Sequence, residues 1–418
     1  MAKSTGVAAP GETRSKLLMW LLGIVCFGSL LIIIAGIAFR FATPTTIPRL
    51  QLVQGVPLPG VLETAKGQLL DESLQSDRFD FQAYDPATGL LFIAHPGPSA
   101  RKLQILQSIH AIPSGTHIQT SIAVFDTRHN RVVGSIVSAQ FVHGITIAAN
   151  VHKVYAAAAG LTPAGDKIYV IDENTCKPSP SDQDACRVIK TITPTETPDS
   201  IGYDPDHKEV FVSEPGSGSG DEQVINALTD RPIRTIKFGT DVGHTRYDPV
   251  SHRIFVVLVP DVTTKSEIAV IDPLTFNVRR LTLPPTCDGA HGLILDSQQQ
   301  VGFAACVNNN KVAMFSMRTL RPIGDIQHLQ STGVTPDVVE IDTGVHILYV
   351  ASKTAISIYD ESQASRGILR KLGDEVVDSG DMHSIAVNEA THTLYVPALN
   401  LGGRPVLLIE HFDPKGNT

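Results

Sequence analysis

Aspartate and histidine recur at one position of a repeated sequence, and these are the side chains with which this chain could do chemistry. The position lies five residues before a recurring turn residue, and six of its seven occurrences carry Asp or His. Carboxylates and imidazoles can transfer protons, bind a polar ligand or ligate a metal ion. The seventh occurrence is a glycine, Gly243, which His244 follows directly. The candidate ligand-binding residues are therefore Asp80, His143, Asp199, His244, His291, Asp337 and His383.

The repeat that carries these residues is clearest from Asp199 to Ser213, where a short apolar strand, an Asp-Pro turn and a second strand follow one another. Its turn residues are spaced by 63, 56, 44, 48, 46 and 46 residues; they are Asp85, Ala148, Asp204, Asp248, Asp296, Asp342 and Asn388. Short strands repeated with a period in this range are typical of a β-propeller. We therefore predict an all-β fold, a seven-bladed β-propeller over residues 49–412, with the Asp and His residues at one mouth of its central channel.

The last blade is short of one strand. It has a third strand from Pro405 to Phe412, after which only the tail 413–418 remains. An alternating segment from Leu50 to Val56 precedes the first repeat and belongs to none. Because an unpaired sheet edge invites aggregation, we predict that this N-terminal strand completes the last blade and closes the ring.

Two interpretations of the Asp/His ring remain open. In the structural one, each side chain forms hydrogen bonds to strand-end amides of the neighbouring blade. In the functional one, the side chains converge on the channel axis and bind a polar ligand or a divalent metal ion. Imidazoles such as those of His143, His291 and His383 would suit Zn, Cu or Mn better than Ca.

Composition and motifs limit the possible functions. The formal net charge is −8 and there is no Lys/Arg run beyond the extreme N-terminus, so nucleic acid is not an expected partner. The chain contains no G-x-S-x-G elbow, no H-E-x-x-H pair and no P-loop. A divalent metal is the one cofactor that the residues suggest. The pair Asp221 and Glu222 follows a Gly-Ser run, and we expect it to be a solvated loop.

The N-terminal region predicts a membrane anchor. Between Leu17 and Phe39 no residue is charged, and a helix over 17–39 rises roughly 35 Å, enough to cross a hydrocarbon core of about 30 Å. A cleaved signal peptide is the alternative, although its apolar region is usually only about 7–15 residues long. We predict a cytoplasmic tail over 1–16, a single transmembrane span over 17–39 and a linker over 40–48.

The cysteines indicate on which side of the membrane the propeller lies. Besides Cys26 inside the apolar span, they form two plausible pairs, Cys176 with Cys186 and Cys287 with Cys306. No C-x-x-C spacing occurs, so disulfides are favoured over a metal site, and four reduced thiols are the alternative. Disulfides would place the propeller outside the cytoplasm.

The second strands resemble those of the YVTN-repeat β-propellers, which are named for a Tyr-Val-Thr-Asn run. Here the run appears as Y-V-A-S at Tyr349, Y-V-P-A at Tyr395 and F-V-S-E at Phe211, never with Asn in fourth place. The resemblance covers about residues 50–412. It implies an exported seven-bladed ring, and it does not imply a particular activity.

These observations lead to one expected function and one alternative. We expect a single-pass membrane protein whose extracytoplasmic propeller is a binding or scaffolding module at the cell envelope, with an envelope protein or a small polar ligand as partner. The alternative is a metal-dependent enzyme of the hydrolase or lactonase type, with its Asp/His site at the channel mouth.

Overall fold

The structure is a computed structural model of the chain. It describes residues 50–59, 62–63, 79–97, 108–109, 117–118, 121–160, 162–216, 219–259, 265–324, 327–328, 335–353, 355–376, 382–399, 401–402 and 404–413. All of these belong to the unit Pro48–Asn417. The predicted cytoplasmic tail, transmembrane span and linker lie outside the described residues. Among the described residues, no helix is long and apolar enough to cross a lipid bilayer.

Seven antiparallel sheets surround a central channel, so the all-β seven-bladed β-propeller is confirmed. Their innermost strands contact one another around a closed ring. In blade order, these innermost strands are Gln82–Asp85, Val142–Ala148, Ile201–Asp204, Asp241–Asp248, Ala290–Asp296, Val339–Asp342 and Ala386–Asn388. The second strands are Leu90–His95, Lys153–Ala158, Glu209–Glu214, Arg253–Val259, Val301–Cys306, Ile347–Ala351 and Thr393–Ala398.

The outer half of each blade completes the sheet. The third strands are Ser121–Asp126, Lys167–Asp172, Asp221–Asn226, Glu267–Ile271, Lys311–Ser316, Ala355–Asp360 and Val406–Phe412. The outermost strands are Arg131–Ile136, Arg187–Ile192, Arg231–Lys237, Val278–Thr282, Arg321–Pro322 with Gln327–His328, Arg370–Val376 and, for blade 7, Leu50–Pro57. A separate ribbon pairs Leu62–Glu63 with His117–Ile118. Short 3₁₀ turns lie at Ala149–Val151, Pro163–Gly165, Glu173–Thr175 and Ala364–Arg366.

The ring closes as the sequence predicts. Leu50–Pro57 runs antiparallel to Val406–Phe412, with Leu50 opposite Phe412. Leu50 is buried in the apolar cluster between blades 6 and 7. The first strand of the propeller therefore joins blade 7 both through the backbone ladder and through side-chain packing.

The core is divided among the interfaces between blades. Seven apolar clusters are present among the described residues, and each one joins two adjacent blades. Their largest members come from the second and third strands; Phe92, Phe125, Phe211, Phe255 and Phe315 are fully buried. Because each sheet buries both faces against its neighbours, these strands are apolar throughout instead of alternating. A blade therefore cannot bury its apolar surface without both neighbours.

Both predicted disulfides are confirmed. Cys176 is bonded to Cys186, and Cys287 is bonded to Cys306. The prediction for Asp221 and Glu222 is wrong, because both carboxyl groups are buried at the start of the third strand of blade 3. Glu222 accepts hydrogen bonds there from the hydroxyls of Ser213 and Thr245, and burial raises its pKa to about 8.

Candidate functional site at the channel mouth

A β-bulge opens the innermost strand in six of the blades. In blades 2, 4 and 5, the pairing shifts register at His143, at Gly243 with His244, and at His291 with its neighbouring glycine. In blades 1, 3 and 6, one residue of the second strand faces two residues of the first. Ala94 accepts from the amide of Asp80 and donates to the carbonyl of Phe81, for example. A bulge changes the direction of a side chain and ends regular pairing, so the Asp and His residues are turned out of the sheet toward the mouth.

Glycines bring these bulges close together. Gly144 follows His143, and a Cβ at this position would lie 2.0 Å from the carbonyl oxygen of Asp199. Gly292 follows His291, and a Cβ there would lie 1.8 Å from the carbonyl oxygen of Asp337. A side chain at either position is sterically excluded, because real Cβ atoms do not approach an oxygen this closely. The His-Gly pair therefore allows the opening residue of one blade to contact that of the next.

All seven candidate residues lie in one network. Asp337 is its centre: its carboxylate lies 2.9 Å from His291 Nδ1, 3.2 Å from His244 Nε2 and 2.6 Å from His383 Nε2. On the other side of the mouth, the Nδ1 atom of His143 lies 2.8 Å from the Asp80 carboxylate. Asp199 connects the two halves: its Oδ2 lies 3.9 Å from His291 Nε2, and its carboxylate lies within 4.8 Å of the ligand atoms of Asp80 and His143.

The network sets the charges of its members. Burial alone would lower the pKa of His291, but the carboxylates of Asp337, Asp199 and Asp80 raise it to about 9, so His291 is protonated at neutral pH. Burial would raise the pKa of Asp337, but the His291 and His383 imidazoles hold it well below its usual range. His244 is different, because burial outweighs its contact with Asp337 and lowers its pKa to about 4.

Three of the seven side chains are more than a fifth exposed, that of Asp337 is 14% exposed, and the other three are buried. The side chains of His143, Asp199 and His291 are 22%, 23% and 27% exposed, whereas that of His244 is 1% exposed. The exposed three come from blades 2, 3 and 5. They form the surface that a molecule entering the mouth would meet, and the buried residues hold them in place.

Two groups at the mouth have donor atoms close enough to share a metal ion. His244, His291 and Asp337 form one group, and Asp80, His143 and Asp199 form the other; within each, the ligand atoms lie within 4.8 Å of one another. The three histidines singled out as metal ligands, His143, His291 and His383, are not brought together as one set. Imidazole and carboxylate donors in these groups suit zinc or a similar transition metal.

Beneath the mouth lies a floor that the sequence analysis missed. The Phe81 ring lies 4.5 Å from the His244 ring on one side and 5.4 Å from the Arg246 guanidinium on the other. Arg246 reaches across the channel to Glu340 of blade 6, with 3.8 Å between Nη2 and Oε1. Both charged residues stand two places before the turn residue, where the other blades have Ala83, Thr146, Gly202, Ile294 and Ala386. A cation and an anion at a register position that is uncharged in the other five blades are the sequence pattern from which this ion pair could have been predicted.

Comparison with known proteins shows the fold. No protein-family model matches the chain, and no curated protein matches it. Chains of solved structures do match, 1353 of them. One belongs to the "Crystal Structure of Mitotic Checkpoint Complex"; it has a TM-score of 0.61 and 8% identity, and the match covers 87% of this chain and 93% of that chain. At this identity the likeness is one of architecture and carries no inference about ligand or activity.

Proposed function

We propose that the chain is a binding module whose channel mouth takes up a small polar ligand. The observation that carries the proposal is the convergence of Asp and His side chains at one mouth, with those of His143, Asp199 and His291 open to solvent. A ligand there meets a carboxylate beside a protonated imidazole, so it needs both a donor and an acceptor group. The buried residues behind them fix their positions before the ligand arrives, which reduces the entropy cost of binding.

The proposal includes a location at the cell envelope. The uncharged stretch between Leu17 and Phe39 supports a single-pass anchor, and the two disulfides favour an oxidising compartment. The resemblance of the second strands to YVTN repeats points the same way. In this proposal the propeller lies on the extracytoplasmic side of the membrane, where an envelope protein is the alternative partner.

A ligand screen tests the binding function. The full chain, held in lipid nanodiscs, is heated with sugars, sugar acids, amino acids and lactones, and the unfolding midpoint is recorded. A ligand present at about 100 times its dissociation constant adds about 2.7 kcal/mol to stability, which is easily measured. The shift should vanish in a double variant with Asp199→Ala and His291→Ala. It should persist in His129→Ala, whose side chain is exposed and lies outside the mouth.

A metal-dependent hydrolase or lactonase is the second candidate. The observation that favours it is that the donor atoms of His244, His291 and Asp337 all lie within 4.8 Å of one another. Elemental analysis of the full chain, purified without chelator, should then find bound metal. Turnover of a lactone or ester that disappears on chelation would favour this candidate over a binding module. A metal-free protein that takes up neither Zn nor Mn would remove it.

A further inference from the structure

A cavity lies at the end of the channel opposite the Asp/His mouth. It has a volume of about 570 Å³, within the range of roughly 300–1,000 Å³ in which small-molecule sites fall. Its inner end is formed by Phe81, Arg246 and Glu340, and its outer end by residues at the inter-strand turns, such as Asn150 and Pro205. It therefore opens away from the Asp/His mouth, and Phe81 separates the two.

Small residues on three neighbouring blades create this space. At the register position of Arg246, blades 1, 2 and 3 carry Ala83, Thr146 and Gly202, and all three line the cavity. With only short side chains on this side, the long Arg246 side chain extends across the channel and leaves a hollow beside it. The cavity is therefore a consequence of residue size at one register position in successive repeats.

The outer wall of the cavity is largely aromatic and apolar. Tyr84, Tyr203 and Tyr247 line it together with Ile147. The hydroxyl of Tyr247 donates to the Asp206 carboxylate at 2.5 Å, and that of Tyr203 donates to Asn150. Because these two hydroxyls are bonded to turn residues, Tyr203 and Tyr247 contribute mainly ring surface to the cavity. Such a wall favours a flat, apolar group.

Arg246 supplies a partly buried positive charge at the inner end, with 18% of its side chain exposed. Within the described part of the chain, its hydrogen bond goes to the carbonyl of Thr245, 3.0 Å from Nη1. Its ion pair with Glu340 is long, at 3.8 Å. Burial lowers the pKa of Arg246, whose charge is therefore poorly solvated. A guanidinium has five N–H donors, and these two contacts use few of them, so the other donors are open to a ligand or to water. A carboxylate bound to two of these donors would satisfy it.

We propose that this cavity binds a small organic anion with an aromatic ring, its acidic group on Arg246 and its ring between the tyrosines. The site is separate from the Asp/His mouth, since it lies on the other side of Phe81 and is lined by none of the seven mouth residues. Glu340 competes with the ligand for Arg246. Burial raises the pKa of Glu340 to about 7 against the opposing effect of Arg246, and the nearby Glu389 adds to the rise.

Isothermal titration of the full chain in nanodiscs tests the proposal with probes that differ in charge. Indole-3-acetate and benzoate are the anionic probes, and tryptamine presents the indole ring on a cation. We expect the anions to bind and tryptamine to bind at least about tenfold more weakly. Because protonation of Glu340 frees Arg246, the affinity for the anions should rise as the pH falls from 8 to 6.

Two variants move the affinity in opposite directions. Arg246→Gln should weaken indole-3-acetate binding about tenfold or more, since a charge-assisted hydrogen bond is lost. Glu340→Gln should strengthen it and remove its pH dependence, which keeps the proposal testable if Arg246→Gln does not fold. Arg234→Gln is the matched control: this exposed arginine lies 5.5 Å from the Phe276 ring, as Arg246 lies 5.4 Å from Phe81. Unchanged affinity in both cavity variants, equal binding of tryptamine, or no binding of either anion would overturn the proposal.

Discussion

The protonated state of His291 has a measurable consequence for stability. Its pKa is about 9 in the folded protein, against about 6.5 for an unperturbed histidine. A raised pKa means that the folded state holds the proton more tightly than the unfolded state. The stabilisation is complete below about pH 6.5 and is lost as the pH rises to about 9. The difference of about 2.5 units corresponds to about 3 kcal/mol, and we expect about 2–3 kcal/mol because the side chain is 27% exposed.

The perturbation that isolates this effect is His291→Gln. An amide keeps a donor beside Asp337 and does not titrate, so the wild type should lose about 2–3 kcal/mol more than the variant between pH 6 and pH 10. For a propeller spanning 49–412, the entropy of unfolding is about 0.8 kcal/mol/K near 60 °C, which makes the expected difference about 3–4 °C in the midpoint. Other groups also titrate over this range, Glu222 among them with a pKa of about 8. They are present in both proteins and cancel in the comparison.

Two measurements test whether His291 is protonated and stabilises the fold at neutral pH. Thermal unfolding midpoints of both proteins are recorded from pH 6 to pH 10, and the pKa of His291 is read from the NMR shift of its ring, assigned by the signal missing in the variant. Asp337→Asn should lower that pKa by about 1–3 units, because the nearest opposite charge is gone. Parallel midpoint profiles, or a His291 pKa within half a unit of 6.5, would refute the charge assignment at the mouth.

Three further predictions concern the architecture. Gly292→Ala should cost about 3 kcal/mol of stability and lower the unfolding midpoint by about 4 °C. The control is Gly239→Ala, which has a φ of +71° but no atom within 4 Å of the new Cβ, and it should cost only about 1–2 kcal/mol. Equal losses in the two variants would contradict the close approach of the blades. Replacing Cys287 and Cys306 by serine removes a cross-link across 19 residues and should cost about 3 kcal/mol in chemical denaturation, while peptide mapping without reductant should show the pair linked in the wild type. Leu50→Asp places a charge in a buried position and should detach the closing strand from blade 7. The exposed sheet edge should then produce aggregates that elute early in size-exclusion chromatography. A monodisperse variant with an unchanged unfolding midpoint would show that ring closure does not depend on the packing of Leu50.

The repeat made the architecture predictable, because each blade reproduces the same local sequence and the period alone fixes the order of strands. The closing strand could be predicted by accounting for partners: blade 7 lacked an outer strand, and Leu50 to Val56 lacked a sheet. The gathering of the opening residues could also be predicted, since equivalent positions of equivalent blades must lie on one circle. How those residues pair could not, because the bulges that turn His143 and His291 depend on the backbone path.

The residues that the sequence did not place correctly are those whose contact partners lie far away in sequence. Glu222 looks like a loop carboxylate, and its burial depends on Thr245, which is 23 residues away on the next blade. Arg246 and Glu340 are 94 residues apart and meet only across the channel axis. Such pairs leave no local pattern. They become visible when the repeats are aligned and each register position is compared for size and charge.

The channel contains two chemically different environments because the repeats are alike in backbone and unlike in side chain at particular positions. Five places before the turn, six of the seven blades carry Asp or His, and with His244 these residues form a mouth of three carboxylates and four imidazoles. Two places before the turn, three neighbouring blades carry small residues, and Arg246 extends into the space that they leave. Phe81 contacts both His244 and Arg246, so a change at either end acts on its ring. Replacement of Phe81 by leucine should therefore alter the pKa of His244 and the affinity for anions together. The Phe81 amide donates to the carbonyl of His143, a backbone contact that a substitution of the His143 side chain keeps. Because the His143 imidazole pairs with Asp80 and does not line the cavity, such a substitution should alter only the mouth.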